Sequence, residues 1–193
     1  MDYAQILGNI NKHIHLEKGE ADYFVLLLTT RMAGRKESLL KAGDPCTTIN
    51  YVQAGALRAF YQDDKGNESI IMFALQDWWV TDMYSFVSEK PAILNIEALE
   101  DSTIIQLKKE DLEKLYVKVP KVERFFRIVM QNAYIREQLR VIENLSKPAE
   151  ARYLNFIKKY PMVVERVPLK QIASYLGITP EFLSVVRKNV QMK

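Results

Sequence analysis

At 193 residues, with 48% hydrophobic and 26% charged side chains, the chain is long and apolar enough for one large or two small packed domains, which excludes disorder for its bulk. Net charge is only +3, but residues 145–193 hold nine Lys and Arg against three Glu, whereas residues 1–144 hold 18 basic and 21 acidic side chains. A basic C-terminal quarter on an acidic body is the electrostatic footprint of a nucleic-acid-binding module.

In chain order, residues 2–15 and 20–33 are expected to be helical, with Tyr23, Leu26, Leu27 and Thr30 sharing one face of the second helix. Between residues 37 and 107 the texture changes to short runs: Ser38-Leu39-Leu40, residues 48–52, 56–60 and 69–73. Gly43-Asp44-Pro45, Ala54-Gly55 and Asp63-Asp64-Lys65-Gly66-Asn67 separate them, residues that suit tight turns. Residues 60–69 read as a β-hairpin, and residues 93–99 with 103–107 as a second, turned at Glu100-Asp101-Ser102. Short strands at regular spacing predict a compact antiparallel roll or barrel. The lone Cys46 is expected to be a small buried residue on one of these strands.

A short helix follows at residues 110–115, and Pro120 opens a long one. Along it Phe125, Ile128, Asn132, Ile135, Leu139 and Ile142 recur at steps of 3, 4, 3, 4 and 3. This heptad stripe is read as a homodimer seam, with Asn132 fixing register, against the other reading that it packs on the chain's own roll. Val122 and Val129 offer a second apolar edge for that roll. Ser146-Lys147-Pro148 breaks the pattern, and a helix over residues 149–159 turns Tyr153, Phe156 and Ile157 inward before Tyr160-Pro161 ends it.

The most informative segment is residues 167–187. Pro168 starts a helix with Ile172, Ala173 and Leu176 as its buried stripe, and Gly177 supplies the left-handed residue that stops it. Thr179 is an N-cap, Pro180 the first helical residue and Glu181 a first-turn carboxylate, and Leu183 and Val186 face inward. Two short helices joined by a tight Gly turn form a helix-turn-helix, whose second helix enters the DNA major groove. Glu181 can accept from a cytosine amino group and Ser184 can contact several bases, while Thr179, Lys170, Arg187 and Lys188 suit phosphates.

Other classes of function find little. No apolar run approaches the roughly 18 residues of a membrane span, and the N-terminus lacks a signal-peptide pattern, so a cytoplasmic protein is expected. One cysteine, and two histidines (His13, His15) without i,i+4 spacing, make no metal site. No phosphate loop, Gly-x-Ser-x-Gly or His-Glu-x-x-His motif is present, and an enzyme is not expected.

Residues 149–153, Tyr160-Pro161 and residues 167–181 resemble the winged-helix end of Crp/Fnr-family regulators, and Ser85-Phe86, Pro91 and residues 96–101 match the same family. The resemblance implies an α+β fold: a cyclic-nucleotide-binding-like sensor roll (double-stranded β-helix) with N-terminal helices over 1–118, a dimerisation helix over 119–146 and a winged helix-turn-helix over 147–193. It implies a dimer on a pseudo-palindromic DNA operator, with RNA polymerase a further partner and no membrane association. Ligand contacts would fall at Trp78, Trp79, Asp82, Met83, Tyr84 and Ser85, with Asn132 and Arg136 closing the pocket; the same residues also read as ordinary core and surface filler. No Arg follows Pro91, where cyclic-AMP-binding members carry one, so cyclic AMP is not expected to bind; one cysteine cannot hold an iron–sulfur cluster, and no haem ligands are evident. The effector, if there is one, is left open. Val185 stands where relatives carry a guanine-reading Arg and could touch a thymine methyl instead. That departure also admits a second reading, a sensor or interaction module with little sequence-specific DNA binding.

Overall fold

A computed structural model describes residues 2–191. Two helices, α1 (Ala4–Asn11) and α2 (Lys18–Leu26), lead into β1 (Leu28–Ala33), β2 (Ser38–Leu40), β3 (Thr48–Ala54), β4 (Ala56–Gln62), β5 (Glu68–Leu75) and β6 (Trp79–Val80). A short α3 (Met83–Ser88) precedes β7 (Asn95–Ala98) and β8 (Ser102–Lys108), and the rest is helical: α4 (Lys109–Lys118), α5 (Lys121–Ser146), α6 (Ala149–Lys159), α7 (Pro161–Arg166), α8 (Leu169–Leu176) and α9 (Pro180–Gln191).

The strands form two four-stranded sheets, ordered β1-β8-β3-β6 and β2-β7-β4-β5, with every pairing antiparallel. Val52, Leu57, Ala59, Ala74, Val80, Ile96 and Ile104 fill the space between them, the interior of the expected roll. The chain passes between sheets at Gly55, whose φ of +97° and close approach to Ser102 admit no side chain; an added Cβ would lie 2.2 Å from Ser102 Oγ. On the other face of the first sheet, Ile49, Tyr51, Ile105 and Leu107 pack against α1, α2, α4 and the start of α5. A third core joins α6, α8 and α9 to the β4–β5 hairpin through Phe60, Ile70, Phe73, Phe156 and Leu176.

Several expectations are corrected. Residues 28–33 are strand, not helix: Leu28 to Ala33 pair with Leu107 to Ser102 of β8, and this ladder overrides the local helical spacing. The segments at 93–99 and 103–107 do not pair with each other. β7 lies between β2 and β4 in one sheet and β8 between β1 and β3 in the other, so Glu100-Asp101 is a corner between sheets. Cys46 is buried but sits ahead of β3 rather than on a strand, with Sγ 3.1 Å from Thr81 Oγ1. Helix α6 does end at Tyr160, and a further short helix, α7, begins at Pro161. No strand follows β8 among the described residues, so they include no wing hairpin, and Met1 and residues 192–193 of the expected terminal domains lie outside them.

Candidate nucleic-acid interface and effector pocket

The helix-turn-helix is built as its turn chemistry requires. Pro168 is extended and its carbonyl accepts the N–H groups of Gln171 and Ile172, starting α8. Gly177 closes the helix at φ +65°, and Ile178 N–H reaches back to the Ala173 carbonyl at 3.0 Å, a Schellman-type stop. Thr179 then caps α9, its hydroxyl accepting the Phe182 N–H at 3.2 Å. Ile172, Ala173, Leu176, Leu183 and Val186 are buried, as are Tyr153 and Phe156 beneath them. Ala173 carries no bulk, which lets α8 and α9 meet closely.

The opposite face is open. Lys170, Thr179, Glu181, Ser184, Val185 and Lys188 are exposed, while Pro180 and Arg187 are half-buried. Ser184 donates its hydroxyl proton to the Pro180 carbonyl at 3.0 Å, leaving its lone pairs outward as acceptors. The sequence reading passed over Phe182, which is 50% exposed beside Val185 at 52%. Its three-residue spacing from Val185 was the available signal.

Helix α8 docks this unit on the roll. Ser174 Oγ accepts the Ile70 N–H and donates to the Glu68 carbonyl, both at 2.9 Å, so one hydroxyl satisfies two backbone groups of the edge strand β5. Arg166 pairs with Glu100 at the sheet corner, and the Tyr175 ring sits 5.6 Å from Phe73 and 5.3 Å from Phe156.

Helix α5 splits by face. Val122, Phe125 and Phe126 are buried against the first sheet, and Val129 packs on the same core. Phe125 therefore leaves the expected seam: it is fully buried and lies 5.9 Å from the Trp79 ring, committed to its own chain. Ile128 is half-buried and Asn132 exposed, while Ile135, Leu139 and Ile142 are 51%, 50% and 51% exposed.

Between the roll and α5 lies a cavity of about 740 Å³. Trp78, Trp79, Asp82, Met83, Tyr84, Asn132 and Arg136 line it, as the sequence suggested, with Met72, Ile93, Leu94, Met130, Tyr134 and Glu137 added by the fold. Ser85 is not in the wall. Its hydroxyl lies behind, donating to the Lys90 carbonyl at 2.6 Å and accepting the Cys46 N–H at 3.1 Å. Asp82 is fully buried, and its carboxylate accepts three backbone N–H groups, from Ser85 at 3.2 Å and from Ile93 and Leu94 at 2.8 Å each. Arg136, the cation of the lining nearest the roll, lies 3.4 Å from Glu137 and over the Trp78 ring at 5.8 Å. Trp78 in turn packs on Tyr160 of the C-terminal helices at 5.8 Å, so the pocket wall touches the DNA-binding candidate. Among the described residues, no group of three or more His, Cys, Asp or Glu is placed to hold a metal ion, and no helix is long and apolar enough to cross a membrane.

Residues 30–118 match the family model of the cyclic nucleotide-binding domain. Across 167 residues the chain is 26% identical to the transcriptional activator protein FnrA of Stutzerimonas stutzeri, covering 78% of this chain and 65% of that one. The structure of FixK2 from Bradyrhizobium japonicum superposes with a TM-score of 0.75 at 20% identity, covering 86% and 85% of the two chains. That of CLP, the c-di-GMP responsive global regulator of Xanthomonas campestris, does so at 0.73 and 16% identity, covering 91% and 92%. Residues 30–118 thus carry a cyclic nucleotide-binding-type domain, and the chain is similar to Crp/Fnr-type regulators. The order of roll, long helix and helix-turn-helix goes with a fold that matches these regulator structures. The chain spans less than two thirds of the length of the first curated relatives it matches, 65% for FnrA and 58% for the anaerobic regulatory protein of Pasteurella multocida.

Proposed function

We propose that this chain is a cytoplasmic, homodimeric transcription regulator of the Crp/Fnr type that binds double-stranded DNA through α9. The division of labour is that of the sequence reading: residues 1–118 sense, 119–146 join two copies and 147–193 hold DNA. The observation that carries it is the construction of α9: a capped helix whose inner face is spent on Leu183 and Val186 and whose outer face, from Thr179 to Lys188, is open and edged by cations. In a dimer two such helices would enter successive major grooves about 34 Å apart, on a pseudo-palindromic site. Lys170, Arg187 and Lys188 would hold phosphates, Thr179 and Pro180 would set the helix start against the backbone, and Glu181, Ser184 and Val185 would face base edges. RNA polymerase is the partner through which such binding would act on transcription.

The exposed Ile135, Leu139 and Ile142 support the dimer, since three apolar side chains at heptad steps on one face find their cover in a second copy. The 740 Å³ cavity supports an effector site, with Trp78 carrying its occupancy to Tyr160. Cyclic AMP is a poor fit: the amides of Ile93 and Leu94 are already taken by Asp82, and Arg136 is offset by Glu137.

A second reading, an interaction module with little sequence-specific DNA binding, draws on the half-exposed Val185. Binding-site selection followed by anisotropy over a salt series separates the two. The regulator reading expects a saturable preferred duplex with a steep salt slope; weak binding that is equal on all sequences overturns it.

A further inference from the structure

The outer face of α9 has two kinds of group and lacks a third. Phe182 and Val185 stand one turn apart, 50% and 52% exposed, whereas their neighbours Leu183 and Val186 are buried. They are therefore not part of the core. Beside them Glu181 and Ser184 present only acceptors, because the Ser184 proton is committed to the Pro180 carbonyl. From Glu181 to Val185 no outward side chain is free to donate a hydrogen bond.

We infer that Phe182 and Val185 together read thymine methyl groups, making this helix a reader of A·T pairs that selects against guanine. The inference rests on the DNA-binding reading above and deepens it. The thymine methyl is the apolar group that the four ordinary bases offer in the major groove. An A·T pair supplies that methyl together with the adenine N6 amino group, a donor that Glu181 or Ser184 can accept. A G·C pair offers Glu181 the cytosine N4 amino group but no methyl for Phe182 and Val185, and the guanine N7 and O6 acceptors find no donor between Glu181 and Val185. The occupant of this apolar pair is argued from charge: half-buried Arg187 and exposed Lys188 follow it on α9 and exposed Lys170 stands on α8, within a C-terminal quarter of nine basic and three acidic residues. A polyanion fits that rim, and an apolar protein groove does not account for it.

The test uses the full chain. Sites selected from random duplexes are expected to carry A·T pairs under α9, with thymines at recurring half-site positions. Replacing each such thymine by uracil removes only its methyl, and should weaken binding by roughly three- to fivefold per methyl, the transfer value of one buried carbon group. In a Phe182→Ser, Val185→Ser variant that uracil penalty should vanish, while Val185→Arg should draw guanine into the selected site. A preferred duplex whose affinity is the same with uracil and thymine overturns this inference and leaves the regulator reading standing. Failure to select any preferred duplex overturns both, and a protein captured through Phe182 and Val185 in its place would then be their occupant.

Discussion

The carboxylate of Asp82 accepts the backbone N–H of Ile93 at 2.8 Å, eleven residues on, across the wall of the roll pocket. The same carboxylate takes the N–H groups of Leu94 and Ser85, so a buried acidic side chain holds both the start of α3 and the approach to β7. Asp82→Ala would leave three amides without an acceptor. Helix-cap loss is worth about 1 kcal/mol and each buried unpaired amide about 1–3, so a destabilisation of about 3 kcal/mol is expected, allowing for relaxation. Urea unfolding measures it. A change below about 1 kcal/mol would show that water satisfies these amides equally well.

Because that carboxylate fills the amide cluster, millimolar cyclic AMP is expected to leave the melting temperature of the wild-type chain unmoved. A saturable rise would contradict the reading of the pocket as closed to anions.

How much of this was legible in the sequence divides by the range of the forces. The helix-turn-helix was readable because its signals are local: Gly177 must be left-handed, Thr179 caps its own helix, and Leu183 and Val186 recur at helical spacing. Residues 28–33 were misread because what decides them is β8, 69 to 79 residues away along the chain. The β7–β8 pairing failed for the same reason: a good local turn at Glu100-Asp101 joins strands of different sheets. Phe125 fits the heptad as well as Ile135 does, and only the packed position of Trp79 assigns it inward. The long-range part of the role of Asp82 had no signal, since the amides of Ile93 and Leu94 are groups that every sequence carries.

The stripe on α5 makes a direct claim about assembly. Leu139 is 50% exposed between Ile135 and Ile142. Leu139→Glu would bury a charge at the centre of a dimer seam but stays solvated in a monomer. Sedimentation should show dimers for wild type and monomers for the variant at the same micromolar concentration, with helical circular dichroism retained. Dimers that survive the substitution would place the contact elsewhere.

Asp77 gives a pH dependence. It ties the end of α1 to β3, accepting from Tyr51 Oη at 2.7 Å and Asn9 Nδ2 at 3.0 Å and pairing with Lys12. Burial works to raise its pKa, but the hydrogen bonds from Lys12, Tyr51 and Asn9 outweigh it and hold the carboxyl below its ordinary value. A depressed folded pKa means stability that is present above the unfolded value, about 4, and lost as pH falls through the folded one. Asp77→Asn keeps a residue that tolerates the φ of +73° at this position. Its melting temperature should lie below wild type at neutral pH, and the gap should close as pH drops below about 4. A gap independent of pH would mean that the charge on Asp77 contributes nothing.

Ser174 latches the helix-turn-helix unit to the roll. Its hydroxyl accepts from Ile70 and donates to the Glu68 carbonyl on an edge strand, where those groups would otherwise face water. Glu68 is itself held by Arg58, whose Nη1 lies 2.5 Å from its carboxylate, and Arg58 also bonds Glu97. The latch is thus anchored in the second sheet and not in a loose hairpin. Ser174→Ala removes both bonds without adding bulk, and should weaken docking by about 1–2 kcal/mol. Because the core beneath α8 is intact in the variant, global unfolding should move less than local opening does. Hydrogen exchange separates the two: the Ile70 amide should exchange roughly tenfold faster, the factor that about 1.4 kcal/mol of local stability represents, while amides of the β3–β8 ladder hold their rates. Equal acceleration at both places would mean that the helix-turn-helix and roll open as one unit, and that Ser174 stabilises the whole fold and not its docking.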